Sequence, residues 1–141
     1  MPEAVASHFG VTGTADAFMP RAFYLRFMFV FVVVLPSAIV FLSQFTLRRM
    51  STRINLPNRD YWLAPERRAE SIEFLCEHSA RFGSVLVVFL CYVHWLVTRA
   101  NAAMPPMLSS PWFIAGLVVF AIFAILWAKI LFVRFRTVPS V

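Results

Sequence analysis

Two groups of side chains in this sequence have types and spacing that suit chemistry, and the first lies near the N-terminus. His8 and Asp16 flank Gly10 and Gly13, and two glycines within four positions predict a tight loop. Together with Glu3, the histidine and the carboxylate could hold a metal ion weakly. The interpretation that we favour is a loop whose His and Asp side chains bond to its own backbone.

The second group lies on a long apolar segment, where Cys91 and His94 are one helical turn apart. An ionisable side chain inside a membrane is unfavourable and usually faces protein or water. Three roles are open to His94: a hydrogen-bonded packing residue, a metal or haem ligand together with Cys91, or a group that handles protons. Packing is favoured because Arg99 follows soon after, which places His94 close to the membrane interface.

The sequence contains no motif that is typical of an enzyme. GxSxG, HExxH, phosphate-loop and CxxC patterns are all absent, and the three histidines are far apart in the chain. We therefore expect a protein that is not an enzyme and has no cofactor or resident metal. Haem or a metal ion at His94 or His8 is the alternative that the residue types leave open.

The composition is that of a membrane protein. The chain has 141 residues, of which 60% are hydrophobic and only 14% are charged, whereas soluble domains have about 45–50% and about 25%. The net charge of +6 comes from arginines that cluster at the ends of apolar runs, so it does not indicate nucleic-acid binding. The two cysteines, Cys76 and Cys91, fall in predicted helices and indicate no disulfide framework.

Three apolar segments are long enough to span a bilayer as helices, which takes roughly 20 residues. They cover residues 22–47, 82–100 and 111–133. Pro36 predicts a kink in the first, and Ser110 with Pro111 predicts the start of the third. The expected fold is therefore all-α, an integral membrane protein with three transmembrane helices and a single membrane domain.

The arginines predict the orientation of these helices. Residues 48–81 carry seven arginines and the tail 134–141 carries two, whereas residues 101–110 carry no charge and residues 1–20 only Glu3 and Asp16. Basic segments stay in the cytoplasm, so we expect residues 1–21 and 101–110 to form outer loops. The prediction is a bacterial inner-membrane protein with its N-terminus outside and its C-terminus in the cytoplasm.

The cytoplasmic segment is predicted to be ordered. A turn comes first, and Pro65 and Glu66 then favour the start of an amphipathic helix from residue 65 that continues into the second span. Tyr61 and Trp62 are expected at the level of the lipid headgroups. The residues that we single out in this interfacial motif are Asn58, Arg59, Asp60, Tyr61, Trp62, Pro65, Glu66, Arg67 and Arg68.

Two stretches of this sequence resemble an uncharacterised family of bacterial multi-span membrane proteins. They are residues 2–19, with the pattern Pro…His-Phe-Gly…Gly-x-x-Asp, and residues 55–68 (NLPNRDYWLAPERR). The first pattern is shared with the immunity protein of the sporulation-delay toxin system. The resemblance implies a helical bundle with the loop from His8 to Asp16 outside. It also implies a further spanning helix before Pro2, which upstream residues or a partner would have to supply.

These observations favour an accessory or structural subunit of a larger membrane complex. The expected partners are the lipid bilayer and other membrane protein subunits, and no nucleic acid. The alternative is a toxin-immunity or signal-sensing protein that reads a ligand with the outer loop. The candidate binding residues are then His8, Gly10, Gly13, Asp16, Cys91 and His94.

Overall fold

A computed structural model describes residues 1–49 and 54–138. The protein is mostly helical, with 69% of its residues in helices. Three helices, Arg21–Arg49, Arg68–Ala100 and Ser110–Arg136, are long and apolar enough to cross a membrane. The predicted helical class with three candidate spans is thus confirmed, while Arg53 and residues 139–141, on which parts of the predicted topology fall, lie outside the described residues.

The N-terminal region departs from the all-α prediction. Strands β1 (Ala4–Phe9) and β2 (Ala15–Pro20) pair antiparallel, with a register irregularity between Ala6 and Phe9. The tight turn predicted from the glycines joins them, because the Gly13 amide donates to the Gly10 carbonyl at 2.8 Å. What was expected as an outer loop is therefore a β-hairpin. Its short strands lack the long alternation that identifies a strand from sequence.

The first candidate span begins where β2 ends. Helix α1 (Arg21–Phe29) passes through a π-helical turn (Val30–Val34) into helix α2 (Leu35–Arg49). The π turn lies just before Pro36, which has no amide hydrogen to donate to the carbonyl four residues earlier. The sequence predicts a kink at Pro36, and the structure has a π turn just before it; π turns are one of the known causes of helix kinks.

The segment after α2 contains one short and one long helix. The short helix α3 spans Arg59–Trp62, and α4 spans Arg68–Ala100. The long helix starts at Arg68, three residues later than predicted, because the amides of Arg67 and Arg68 both donate to the Ala64 carbonyl in a preceding turn. Its 33 residues correspond to about 50 Å, which exceeds the roughly 30 Å of a bilayer core.

Helix α5 spans Ser110–Arg136 and follows a short connection that contains Pro105 and Pro106. The helix begins one residue earlier than predicted: Ser110, expected as the N-cap, is the first helical residue, and the Ser109 carbonyl accepts the Phe113 amide hydrogen at 3.1 Å. None of its most apolar stretch is buried within the protein. The helix therefore exposes apolar side chains on most of its surface, as a segment surrounded by lipid would.

The chain divides into two compact units, each with its own buried residues. The first unit comprises residues 1–36 and 85–121, and the second comprises residues 37–84 and 122–141. Buried apolar side chains in the first are Val5, Ala6, Tyr24, Leu90, Leu96 and Ala100. Those in the second are Leu75, Cys76 and Phe135, accompanied by the buried polar residues Ser71 and His78.

Candidate functional site

The hairpin is fastened to the end of α4 by one side chain, Asn101. Its Oδ1 accepts the Ala6 amide hydrogen at 2.7 Å, and its Nδ2 donates to the Ala6 carbonyl at 2.9 Å. The same Nδ2 donates to the Val97 carbonyl of α4 at 2.9 Å. Asn101 thus bonds to β1 in the way that a neighbouring strand would. Because Val5 and Ala6 are fully buried, this attachment is shielded from water.

The turn of the hairpin is fastened as well, to the connection before α5. The Leu108 amide donates to the Gly13 carbonyl at 2.8 Å, and Thr14 forms an isolated bridge with Met107. Gly13 has a φ of +84°, and a Cβ there would overlap the Leu108 carbonyl oxygen. Glycine is required at this position both for its conformation and for this close approach. Gly10 meets no such restriction, since its nearest neighbour would lie 3.7 Å from a Cβ.

The structure brings His8 and Asp16 together on this fastened hairpin. His8 Nδ1 lies 2.5 Å from Asp16 Oδ1, with 72% and 51% of the two side chains exposed. The side chains therefore bond to each other, which differs from the predicted bonding to the backbone of the turn. An exposed pair of this kind contributes about 0–1 kcal/mol to stability. Because both side chains are exposed, they are accessible to an external contact.

Large apolar side chains are exposed around the same hairpin. Val11 at the turn is 100% exposed and Met104 in the connection before α5 is 99% exposed. Large exposed apolar patches are typical of binding surfaces, and these side chains lie on the hairpin or on the connection that its turn contacts. We refer to the following residues together as the hairpin surface: His8, Val11, Asp16, Phe18, Met104 and Met107.

His94 is held by Tyr24 rather than by Cys91. The Tyr24 hydroxyl and His94 Nδ1 are 2.9 Å apart, and the two rings stack with centroids 5.6 Å apart. Tyr24 is buried, whereas Cys91 is exposed on α4. The packing role favoured for His94 therefore matches its contacts.

Among residues 1–49 and 54–138, no three His, Cys, Asp or Glu side chains come together in a way that could hold a metal ion. Glu3 therefore does not complete a site with His8 and Asp16. The backbone carbonyl of Glu3 accepts the Arg21 amide hydrogen at 2.8 Å, at the point where the hairpin meets α1.

Two residues of the interfacial motif, Asn58 and Trp62, cap the C-terminus of α5 within the second unit. Asn58 Nδ2 donates to the carbonyls of Phe135 at 3.2 Å and Arg136 at 2.8 Å, and Trp62 Nε1 donates to that of Phe135 at 3.0 Å. The last carbonyls of a helix have no partner within the helix. Asn58 and Trp62 supply donors to them, so this part of the motif has a structural role.

The remaining motif residues shape the start of α4. The Arg67 guanidinium lies 4.0 Å from the centre of the Tyr61 ring. Asp60 lies in the first turn of α3 with Arg59, while Pro65 and Glu66 form the turn before α4 and are exposed. Trp62 packs against Phe135 with ring centroids 5.5 Å apart. The sequence predicts a position for Trp62 at the lipid headgroups but does not predict this contact.

The sequence reasoning missed a histidine that the structure buries. His78 stacks on Trp127 with centroids 4.5 Å apart and an angle of 11°, and Phe74 also stacks with it at 5.3 Å. His78 Nε2 lies 3.0 Å from the Trp127 carbonyl oxygen, and Trp127 Nε1 donates to the His78 carbonyl at 3.0 Å. A histidine at helical spacing from the aromatic Phe74 and Phe82 was the available signal.

Asn101 was also missed, although it is the residue that positions the hairpin. A polar residue directly after a long apolar helix is typical of a solvated helix end, and nothing local indicates a partner near the N-terminus.

Comparison with known proteins gives no assignment: no family model, no curated protein and no solved structure matches this chain.

Proposed function

We propose that this chain is an integral bacterial inner-membrane protein with its N-terminal hairpin outside and its C-terminus in the cytoplasm. Three helices of sufficient length and hydropathy support the insertion, with only 11%, 17% and 0% of their most apolar stretches buried within the protein. Apolar side chains exposed to this extent require a lipid environment. The arginines of residues 48–81 and of the end of α5 support the orientation.

Within the membrane, the proposed role is that of a non-catalytic accessory subunit of a larger complex. The observation that carries this proposal is the hairpin surface. A six-residue strand pair alone is marginally stable, yet here it is fixed at its base, its middle and its turn by Arg21, Asn101 and Leu108. A rigid element that exposes Val11 and Met104 to water loses little entropy when a partner covers it.

A second candidate is a sensing or immunity-like protein that reads a peptide or other ligand with the same hairpin. The observation that favours it is the exposed His8–Asp16 pair. A histidine beside a carboxylate offers both a donor and an acceptor to a ligand. The resemblance of residues 2–19 to the immunity branch supports the same candidate.

Purification of the tagged chain in a mild detergent tests the first proposal. We expect a second membrane protein in stoichiometric amount, and we expect Val11→Asp to release it. Val138→Asp, which changes another exposed valine outside the long helices, serves as the matched control and should retain the partner. A chain that is stable and monomeric by itself would contradict the subunit role.

Paired substitution tests the second candidate. His8→Ala with Asp16→Ala should abolish protection of cells against a secreted peptide toxin. The control is Glu77→Ala with Arg81→Ala, which removes another exposed ion pair, 3.0 Å long, on α4. Because neither pair contributes much to stability, both variants should fold, and protection that survives the first substitution would exclude the ligand-reading role.

A further inference from the structure

A basic cavity lies between the end of α2 and the beginning of α4, within the second unit. It has a volume of about 540 Å³. Two arginines line it, Arg48 from the last turn of α2 and Arg68 from the first turn of α4, together with one acidic residue, Glu73. The remaining lining residues, Pro65, Ala69 and Ile72, carry no charge. Among the described residues, the charged side chains that line it are therefore two basic and one acidic.

A second cavity follows along the same two helices. Its volume is about 500 Å³, and its lining is mainly apolar, including Leu42 and Leu47 of α2, Leu75 of α4, and Trp127 and Leu131 of α5. It is open along one side, so a long apolar group could enter it without unfolding of the helices.

The two cavities succeed one another along both helices. The apolar cavity is lined by residues 42–47 of α2 and by residues 75–79 of α4. The basic cavity is lined by Arg48 at the end of α2 and by residues 68–73 at the beginning of α4. The lining residues of α4 together extend over about 16 Å at 1.5 Å per residue. A charged compartment thus adjoins an apolar one, at the basic end of the helices.

We propose that these cavities bind one anionic phospholipid. The phosphate group lies between the guanidinium groups of Arg48 and Arg68, and one acyl chain lies along the apolar cavity towards Trp127. Arginine suits a phosphate because its planar group donates two hydrogen bonds in parallel. Basic pockets between membrane helices on the cytoplasmic side are a recognised way to hold lipid headgroups. A free phosphate would leave the apolar cavity unfilled.

Glu73 gives the site a preference among anionic headgroups. Its carboxylate lines the same cavity as the two arginines and repels a phosphate. A phosphodiester, which carries one negative charge, meets less repulsion than a phosphate monoester, which carries nearly two. The site therefore favours lipids such as phosphatidylglycerol over phosphatidic acid.

The inference rests on the proposed membrane insertion, and its test is made on the purified chain so that it does not depend on any protein partner. The chain in mild detergent is titrated with phosphatidylglycerol and with phosphatidylcholine of the same acyl chains, and binding is counted by native mass spectrometry. We expect one phosphatidylglycerol per chain, bound at least about tenfold more tightly than phosphatidylcholine. Equal binding of both lipids without saturation would be consistent with the proposed membrane insertion, but it would overturn the proposed phospholipid site.

The variants are chosen so that folding and binding can be separated. Arg48→Gln and Arg68→Gln should each weaken phosphatidylglycerol binding at least about tenfold. Arg49→Gln, which removes the same charge from the neighbouring exposed residue at the end of α2, should not. Glu73→Gln should tighten binding by roughly fivefold, a gain that an unfolded variant cannot show. An effect of Arg49→Gln equal to that of Arg48→Gln, or a Glu73→Gln variant with weakened binding, would overturn the proposal.

A competition experiment separates the lipid from a free phosphate. Glycerol phosphate in millimolar excess should leave the bound phosphatidylglycerol in place, because it cannot fill the apolar cavity. Phosphatidylglycerol with brominated acyl chains should also quench tryptophan fluorescence saturably, and quenching should fall by the Trp127 contribution in Trp127→Phe. Full displacement by glycerol phosphate would show that the site reads the phosphate alone and would overturn the acyl-chain assignment.

Discussion

Removal of the Asn101 side chain is expected to open β1 locally, while the long helices stay folded and the attachments of the hairpin through Arg21 and Leu108 remain. Asn101→Ala deletes the donor and the acceptor that serve the carbonyl and the amide of Ala6, at 2.9 and 2.7 Å. Both Ala6 groups are buried, since the residue is 0% exposed. A buried backbone group that loses its partner costs about 1–3 kcal/mol.

Water can reach the two Ala6 groups once the hairpin moves, so each loss is taken from the lower part of that range. Together the two losses destabilise the closed hairpin by about 3 kcal/mol. The equilibrium constant for local opening should then rise by roughly 100-fold. Hydrogen exchange followed by mass spectrometry measures this directly, because the exchange rate of a protected amide reports the local opening free energy. Peptides that cover β1 should exchange faster by this factor, whereas peptides within α5 should keep their protection.

Asn55→Ala is the matched control, because it removes the same side chain from an exposed position outside the helices. Its exchange in β1 should equal that of the wild type. The reasoning would be refuted if β1 in Asn101→Ala exchanged at the wild-type rate, since the hairpin would then be held by contacts other than the Asn101 amide. Loss of protection throughout the chain would also refute it, because the attachment would then stabilise the whole fold.

Three further substitutions test other parts of the structure. Gly13→Ala should destabilise the hairpin by about 1–3 kcal/mol, since a Cβ would overlap the Leu108 carbonyl oxygen, while Gly10→Ala, whose Cβ has 3.7 Å of clearance, should be nearly neutral in the same hydrogen-exchange assay. Tyr24→Phe removes the 2.9 Å contact with His94 and should lower the unfolding free energy by about 1 kcal/mol, measured by thermal unfolding in detergent; an unchanged midpoint would show that ring stacking alone holds the pair. Asn58→Ala should speed exchange in the last turn of α5 by roughly 10-fold, because the Arg136 carbonyl loses its 2.8 Å donor; slower or unchanged exchange there would contradict the capping role.

The number and approximate extent of the long helices could be read from the sequence. An apolar run of about 20 residues between arginines is a property of consecutive residues, and a helix is the conformation that satisfies its backbone polar groups within the segment itself. The continuity of α4 from residue 68 to residue 100 was predictable for the same reason, since no helix-breaking residue interrupts it. The break near Pro36 and the start at Ser110 follow from local backbone chemistry.

Contacts between distant residues were decided only by the tertiary structure. Ala6 and Asn101 are 95 positions apart, and Asn58 and Phe135 are 77 apart, so no local pattern signals that they meet. The strands of the hairpin are six residues each, too short to be distinguished from a loop until Asn101 and Leu108 supply the partners that their exposed edges need.

The candidate residues show the same division. The glycines of the turn, with His8 and Asp16, were identifiable because turn chemistry depends on neighbours in the chain. Whether His8 and Asp16 would face each other depended on the register of β1 against β2, and the contact between His94 and Tyr24 joins residues 70 positions apart in the chain. Likewise, Arg48 and Arg68 lie in the sequence at the ends of two separate apolar helices, and only the tertiary structure shows that both line one cavity.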